Sequence, residues 1–379
     1  MHTCYLTCAR GLEQIAQTEL EPFVASSSID QGGVQFEADL TGIYNINLRS
    51  RIGMHVLIQH LKFNAEDTDE IYNQIYKFSW SNLIDYKQTF MVKVRGKSNY
   101  FKNNQYTTLR IKDAIVDRIK KDRISRPSIN KENPDVIVSV FIIDDCIKVY
   151  LDSSGTSLHK RGYRNKIHRA ALNESLAAGL ILLSNWNHED PFYDLMCGSG
   201  TIPIEAALIA HHIAPGIFRK NFGFQNWNNY DEKLFTKLKK KATSEITIRD
   251  NVKIHGSDLA FQNIAMCLSS AKSFDIQKLI DFKKLDIKDF KGTDDKGTVI
   301  LNPPYGERLQ QSDEDLAALY ELIGDVFKNQ CPNFDAYVFT SNLEMIKRIG
   351  LKSEQKHVLK NGKLDCRFIY YPISSGRYS

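Results

Sequence analysis

Four short apolar segments in the second half of the chain each stop on an acidic or amide side chain. They are Pro191-Phe192-Tyr193-Asp194, Ile254-His255-Gly256-Ser257-Asp258, Phe282-Lys283-Lys284-Leu285-Asp286 and Thr298-Val299-Ile300-Leu301-Asn302. Helical patterns over 202–212 and 259–271 follow the first two, and another spans 314–327 after the fourth. Strands alternating with helices predict a doubly wound parallel sheet, whose ligand cleft opens outside the carboxyl ends of the strands. One such aspartate alone reads as a helix N-cap. Asp, Asp, Asp and Asn at four consecutive strand ends point instead to one shared cleft.

The first of these ends runs into Leu195-Met196-Cys197-Gly198-Ser199-Gly200-Thr201. Gly198 and Gly200 let the backbone turn tightly and approach a ligand. Pro203 stands where a dinucleotide fingerprint has its third glycine, and no P-loop lysine is present, which disfavours a nicotinamide-type oxidoreductase. Asp194, Cys197, Gly198, Ser199, Gly200 and Thr201 are the expected cofactor loop. Asp258 has two acceptor oxygens for the two hydroxyls of a ribose, and Asp286 is placed to accept from an adenine amine.

The fourth end continues as Asn302-Pro303-Pro304-Tyr305. Two prolines stop the strand and hold the chain extended, since each fixes φ and lacks an N–H. The Asn302 amide then projects from the strand tip, and the Pro303 carbonyl is free to accept from a ligand. Tyr305 adds a flat aromatic face. Two acceptors beside a ring suit a planar base with an exocyclic amine. A plain strand-ending turn has the same composition, so it is the neighbouring loop that gives this tetrapeptide its meaning.

Length and composition set the frame. The 379 residues predict two or three domains, and 42% hydrophobic with 25% charged residues is ordinary for a globular chain. No apolar run is long enough to cross a bilayer, and Met1-His2-Thr3-Cys4-Tyr5 opens no secretion signal. Seven scattered cysteines predict reduced thiols and a cytoplasmic protein. Cys4 and Cys8 share one face of an alternating strand, which predicts core packing. No H-x3-H or C-x2-C spacing calls for a metal, and none is expected.

The net charge of +5 is unevenly spread. Residues 11–47 hold six acids and no Lys or Arg; 93–126 hold eleven Lys/Arg against three acids; 153–173 hold five Lys/Arg and no acid. Two separated basic runs predict a polyanion partner. The candidate contacts are Lys93 and Arg95 on a strand, Arg110 and Lys112 on a basic amphipathic helix over 106–124, and Lys160, Arg161 and Arg164 in a polar connector. The first 60 residues read as a small α/β unit. Residues 134–141 and 147–152 form a hairpin, and Asn361-Gly362 marks another near the end. The 215–250 insert carries Phe218, Phe222, Phe224 and Trp227 beside Arg219 and Lys220, equally suited to stacking on nucleotides and to packing.

The Asp194 loop, Asn302-Pro303-Pro304-Tyr305, Leu158-His159-Lys160-Arg161-Gly162-Tyr163-Arg164 and Ile213-Ala214-Pro215-Gly216 together resemble the THUMP-domain class I S-adenosylmethionine-dependent RNA methyltransferases. The nearest likeness is the amino-terminal half of the bacterial 23S rRNA guanine-N2 methyltransferase, and it covers essentially the whole chain. That fusion carries a second methyltransferase domain, and this chain ends before one. The resemblance implies a ferredoxin-like α/β domain over 1–60, a THUMP RNA-binding domain over 61–155 and a Rossmann-like methyltransferase domain over 156–379. It implies S-adenosylmethionine as cofactor, with Asp194 and the loop on its methionine portion and Asp258 and Asp286 on its adenosine. Asn302, Pro303, Pro304 and Tyr305 would then receive a guanine N2 amine of 23S rRNA. Transfer RNA, an adenine N6 amine, and a non-catalytic RNA-binding or ribosome-assembly role are the rival expectations.

Overall fold

The computed structural model describes residues 1–123, 125–164, 172–304 and 312–374. The first part runs β1 (His2–Thr7), α1 (Glu13–Leu20), β2 (Ser26–Asp30), β3 (Gly33–Ala38), α2 (Leu40–Arg49), β4 (His55–Asn64), α3 (Thr68–Lys77), β5 (Thr89–Lys97), α4 (Asn104–Arg123), β6 (Ser128–Ile129), β7 (Val136–Ile143) and β8 (Cys146–Asp152). Helix starts follow local chemistry: Asp39 caps α2 through Gly42 N, and Asp67 caps α3 through Asp69 N and Glu70 N. The eight strands make one sheet in the order β2-β3-β1-β4-β8-β7-β5-β6. Its join is antiparallel, from Leu57↔Asp152 to Asn64↔Cys146. β4 therefore runs through the boundary expected near residue 60, and the first two units share a single sheet. Cys4 and Cys8 are both buried.

The second part runs α5 (Glu174–Leu183), β9 (Phe192–Asp194), α6 (Thr201–Ala210), α7 (Glu232–Ser244), β10 (Ile254–Asp258), α8 (Phe261–Lys272), β11 (Asp281–Lys284), β12 (Gly297–Leu301), α9 (Asp313–Gln330), β13 (Phe334–Thr340), α10 (Leu343–Ile346), β14 (Gln355–Asn361) and β15 (Leu364–Pro372). Their order is β11-β10-β9-β12-β13-β15-β14. The five strands β11 to β13 are mutually parallel, while β15 is antiparallel to both its neighbours. The chain builds outward from β9 to the β11 edge, then returns to place β12 on the other side of β9. That reversal is the switch point at which doubly wound sheets open a cleft. Asn361 faces Leu364 across a tight turn, with Gly362 at φ +61°.

Phe222, Phe224 and Trp227 of the insert are buried, with Phe224 at 4.3 Å from the Tyr44 ring centroid. Phe218 stacks on Phe274 at 3.7 Å. Packing is thus what these aromatics do. No described helix is long and apolar enough to cross a membrane.

Candidate active site

The four expected strand ends lie side by side at one edge of the second sheet. Register sets Asp194 beside Gly256 and Gly256 beside Phe282, with Asp258 beside Lys284. On the other flank Tyr193 pairs with Val299, so Asp194 and the Asn302 tip border the switch point. The backbone of Leu285 donates to the Asp258 carbonyl, which carries Asp286 along the same rim.

Asp194 is buried (1% exposed) and accepts one described hydrogen bond, from Met196 N at 3.2 Å. Burial, with Asp258 adding repulsion, pushes its carboxyl up to about 8. Beyond it the loop folds on itself: Gly200 N donates to Cys197 O, and Cys197 N to Ser257 O. Gly198 N donates to Asp258 Oδ2 at 3.0 Å. Asp258 Oδ1 takes Ala260 N and Asn263 Nδ2, both at 2.9 Å. Gly198 (φ +54°) has nothing within 4 Å of where a Cβ would stand, whereas at Gly200 (φ +78°) a Cβ would lie 2.9 Å from Cys267 Sγ. The loop is thus packed from behind at Gly200 and open in front at Gly198. Ser199 is half-buried between them, and Thr201 opens α6 with its hydroxyl held by Arg164.

At the other wall, Asn302 Oδ1 is buried and has no hydrogen-bond partner among the described residues. A buried acceptor left unmade is unfavourable by about 1–3 kcal/mol. Pro303 is buried and Pro304 half-buried. Tyr305 lies outside the described residues. Asp286 has local partners: it caps the turn Ile287–Asp289 through Lys288 N at 3.1 Å, and Lys288 Nζ stands 3.2 Å from it. Those contacts hold its carboxyl below the usual range.

The expected RNA contacts divide. Arg161 requires a correction: it is 1% exposed, pairs with the buried Glu205 at 3.5 Å and donates to the carbonyls of Leu158 and Arg51. A guanidinium enclosed in this way cannot reach a phosphate. Arg164 is likewise engaged, by Thr201, the Leu172 carbonyl and Glu174. Arg110 pairs with Asp69 and Lys112 with Asp113. Lys93, Arg95 and Lys160 form no ion pair among the described residues.

Sequence reasoning missed Asn263, which steadies Asp258, and Cys267, which backs Gly200 and donates to Gly198 O at 3.3 Å. Asn263 is five residues past Asp258, within the reach of one helical turn, and that spacing was the available signal. Cys267 left none.

Comparison with known proteins bears on the family and the fold. Residues 161–369 match the family model described as the RMKL-like methyltransferase domain, 65–152 match a THUMP domain and 3–57 an RlmL ferredoxin-like domain. A Synechocystis protein named "Putative RNA methyltransferase slr0064" is 35% identical over 372 residues, spanning 97% of this chain and 96% of that one. A protein titled "SMU.472, a putative methyltransferase complexed with SAH" superposes with TM-score 0.89 at 28% identity over 99% of both chains. A Listeria monocytogenes protein titled "predicted N6-adenine-specific DNA methylase" gives TM-score 0.88 at 30% identity, over 98% of this chain and 96% of that one. The chain belongs to the RMKL-like methyltransferase family, carrying its methyltransferase domain behind a ferredoxin-like unit and a THUMP domain.

Proposed function

We propose that this protein moves a methyl group from S-adenosylmethionine to the exocyclic amine of a base in RNA, and that the acceptor is guanine N2 in 23S rRNA. The observation that carries the reading is the Asn302 oxygen at the tip of β12, buried with no hydrogen-bond partner among the described residues, across the switch point from the glycine loop. The cofactor supplies an electrophilic methyl on a sulfonium. The residues present fit it: Gly198 leaves a cradle that a side chain would fill, and the buried Asp194 carboxyl has capacity for a cationic group. Asp258 keeps acceptor capacity for ribose hydroxyls beside its three described donors.

The chemistry asked of this chain is modest. An aryl amine is a poor nucleophile because its lone pair is shared with the ring. Asn302 Oδ1 and the Pro303 carbonyl would accept its two N–H groups, favour a pyramidal nitrogen and stabilise the positive charge that grows there. The methyl would leave sulfur as its bond to nitrogen forms, and the surplus proton would then leave the nitrogen for water. No strong base is needed, since the amine turns acidic only after attack. Tyr305 would stack on a base swung out of its helix.

RNA is favoured over DNA by the THUMP match and by the name of the Synechocystis relative. A cytoplasmic setting accompanies that substrate. Adenine N6 presents the same two N–H groups to the same two acceptors, and the Listeria protein's title names that class. The deciding experiment incubates bacterial rRNA and tRNA with labelled cofactor and enzyme, digests the RNA and identifies the nucleoside by mass spectrometry. N2-methylguanosine in 23S rRNA is expected. N6-methyladenosine, or label confined to tRNA, overturns the assignment.

A further inference from the structure

We propose that Arg164 is a positioning residue for the cofactor: it holds Thr201, and through Thr201 the end of the glycine loop, rather than contacting RNA. This rests on the reading of residues 194–201 as the cofactor cradle and adds what keeps that cradle in place.

The loop's other restraints come from the catalytic sheet and its own helix. Cys197 N donates to Ser257 O and Gly198 N to Asp258, both on β10, and Cys267 of α8 backs Gly200. The junction with α6 is built differently. Gly200 stands at the N-cap in the left-handed region, φ +78°, and has no side chain with which to cap the helix. Thr201, the first helical residue, is 4% exposed, and its hydroxyl accepts from the Arg164 guanidinium. The same guanidinium donates to the Leu172 carbonyl at 2.6 Å and stands 3.4 Å from the carboxylate of Glu174, where α5 begins. One planar group thus ties the end of the loop to the start of the neighbouring helix. A fork of fixed N–H directions suits three partners better than a flexible ammonium does.

The setting is enclosed. The Arg164 and Glu174 side chains are 12% and 6% exposed. Burial pushes the Glu174 carboxyl up, and Arg164 opposes this. The residues just before Arg164 grip the same helix. Arg161 and the Tyr163 hydroxyl both reach Glu205, one turn beyond Thr201 on α6. Ser273, past the end of α8, donates to the Tyr163 carbonyl. On the far side of the junction, Asn173 caps α5 through Ser175 N and Leu176 N, and the Ser175 hydroxyl donates to Gly53 O in the first part of the chain. Arg164 therefore joins the loop to α5, and α5 is itself fastened to the other sheet's domain. A group that only places the loop favours cofactor equally before and during transfer. Its removal raises KM and spares the chemical step.

The test uses an E174Q background, so that losing the guanidinium strands no buried carboxylate. Affinity for S-adenosylhomocysteine is measured by calorimetry, KM and kcat by methyl transfer to bacterial RNA, and folding by melting curves. R164M/E174Q should bind roughly tenfold more weakly than E174Q, the scale of a hydrogen bond to a charged group. KM for S-adenosylmethionine should rise by a similar factor with kcat within about threefold. T201V, made in the wild-type background, should show the same loss, and T201S, which keeps the hydroxyl, should bind within about twofold of wild type. R164M/E174Q/T201V should be no weaker than R164M/E174Q, because Thr201 then has no contact left to lose.

A folded R164M/E174Q that matches E174Q in affinity, a T201V that matches wild type, losses that multiply in the triple variant, or a fall in kcat with KM unchanged would each overturn the proposal. Weakened RNA binding with cofactor affinity intact would do the same and make Arg164 a phosphate contact. Gly198→Ala separates this role from the loop reading. If that variant loses cofactor affinity while R164M/E174Q and T201V keep theirs, only the role of Arg164 fails. If Gly198→Ala keeps its affinity, the loop reading fails and takes this role with it.

Discussion

The hydroxyls of Tyr320 and Thr340 lie 2.8 Å apart in the core, and the Tyr320 oxygen also reaches the Pro304 carbonyl at 3.5 Å. Asn342 N donates to Thr340 Oγ1, so Thr340 can donate to Tyr320 and Tyr320 to Pro304. This chain of donors runs from the end of β13 to the segment that follows Asn302. Tyr320→Phe removes its last link while keeping the ring. Loss of about 1 kcal/mol of positioning would lower kcat roughly fivefold with cofactor affinity unchanged. Thr340→Ser, which keeps the hydroxyl, should retain activity that Thr340→Val loses. Equal activity in the Phe and wild-type enzymes would remove Tyr320 from this role.

Asn302→Ala should leave cofactor binding in place and reduce kcat by about 10²–10³-fold, the usual effect of removing one preorganised polar group from a reacting centre. The measurement is single-turnover methyl transfer with cofactor binding followed by calorimetry. Full activity in this variant would refute the acceptor role of the amide.

Asp194 gives stability a distinctive pH dependence. Its folded pKa of about 8 stands above the ordinary 3.8. Between those values the folded protein keeps a proton that the unfolded chain has released, so stability from this group declines as pH rises from about 4 to about 8. Asp194→Asn removes that dependence. The variant's melting temperature should match wild type near pH 4 and exceed it increasingly toward pH 8, while affinity for the cationic cofactor falls. Melting curves that run parallel across the range would show the carboxyl to be ionised throughout.

The two loop glycines should fail differently. Gly200→Ala puts a Cβ 2.9 Å from Cys267 Sγ at positive φ, and should destabilise the fold by about 1–3 kcal/mol. Gly198→Ala enters open space. It should melt within about 1–2 kcal/mol of wild type, the strain of its φ alone, and still lose cofactor affinity at least as severely as Gly200→Ala. Cofactor binding preserved in Gly198→Ala would mean that the cradle lies elsewhere.

Arg161→Ala strands Glu205 as a buried charge and should destabilise by about 3–5 kcal/mol in urea unfolding. RNA affinity of the remaining folded fraction should be unchanged. A stable variant with weakened RNA binding would return Arg161 to the surface.

The catalytic sheet was readable because its signal is local. Apolar runs stop on Asp194, Asp258 and Asn302, glycines stand where positive φ is needed, and Asn361-Gly362 makes its turn. What could not be read depends on distant partners. Arg110 looks like a free cation until Asp69, from the preceding helix, is placed beside it. Lys160-Arg161-Gly162-Tyr163-Arg164 reads as a solvated connector, yet Glu205 of α6 draws Arg161 and the Tyr163 hydroxyl into the core. β2 is too polar to announce itself, and the join of β4 to β8 links residues some ninety positions apart.

Arg161 holds backbone oxygens of Leu158 and Arg51 with one end and a carboxylate of the catalytic sheet's helix with the other, all out of water. Such a clasp does not slide. The front sheet and the methylating cleft are therefore set at a constant span, like the jaws of a gauge locked at one reading. A substrate that touched both would have to present its target at that span, so selection would begin with distance, before any base edge is touched.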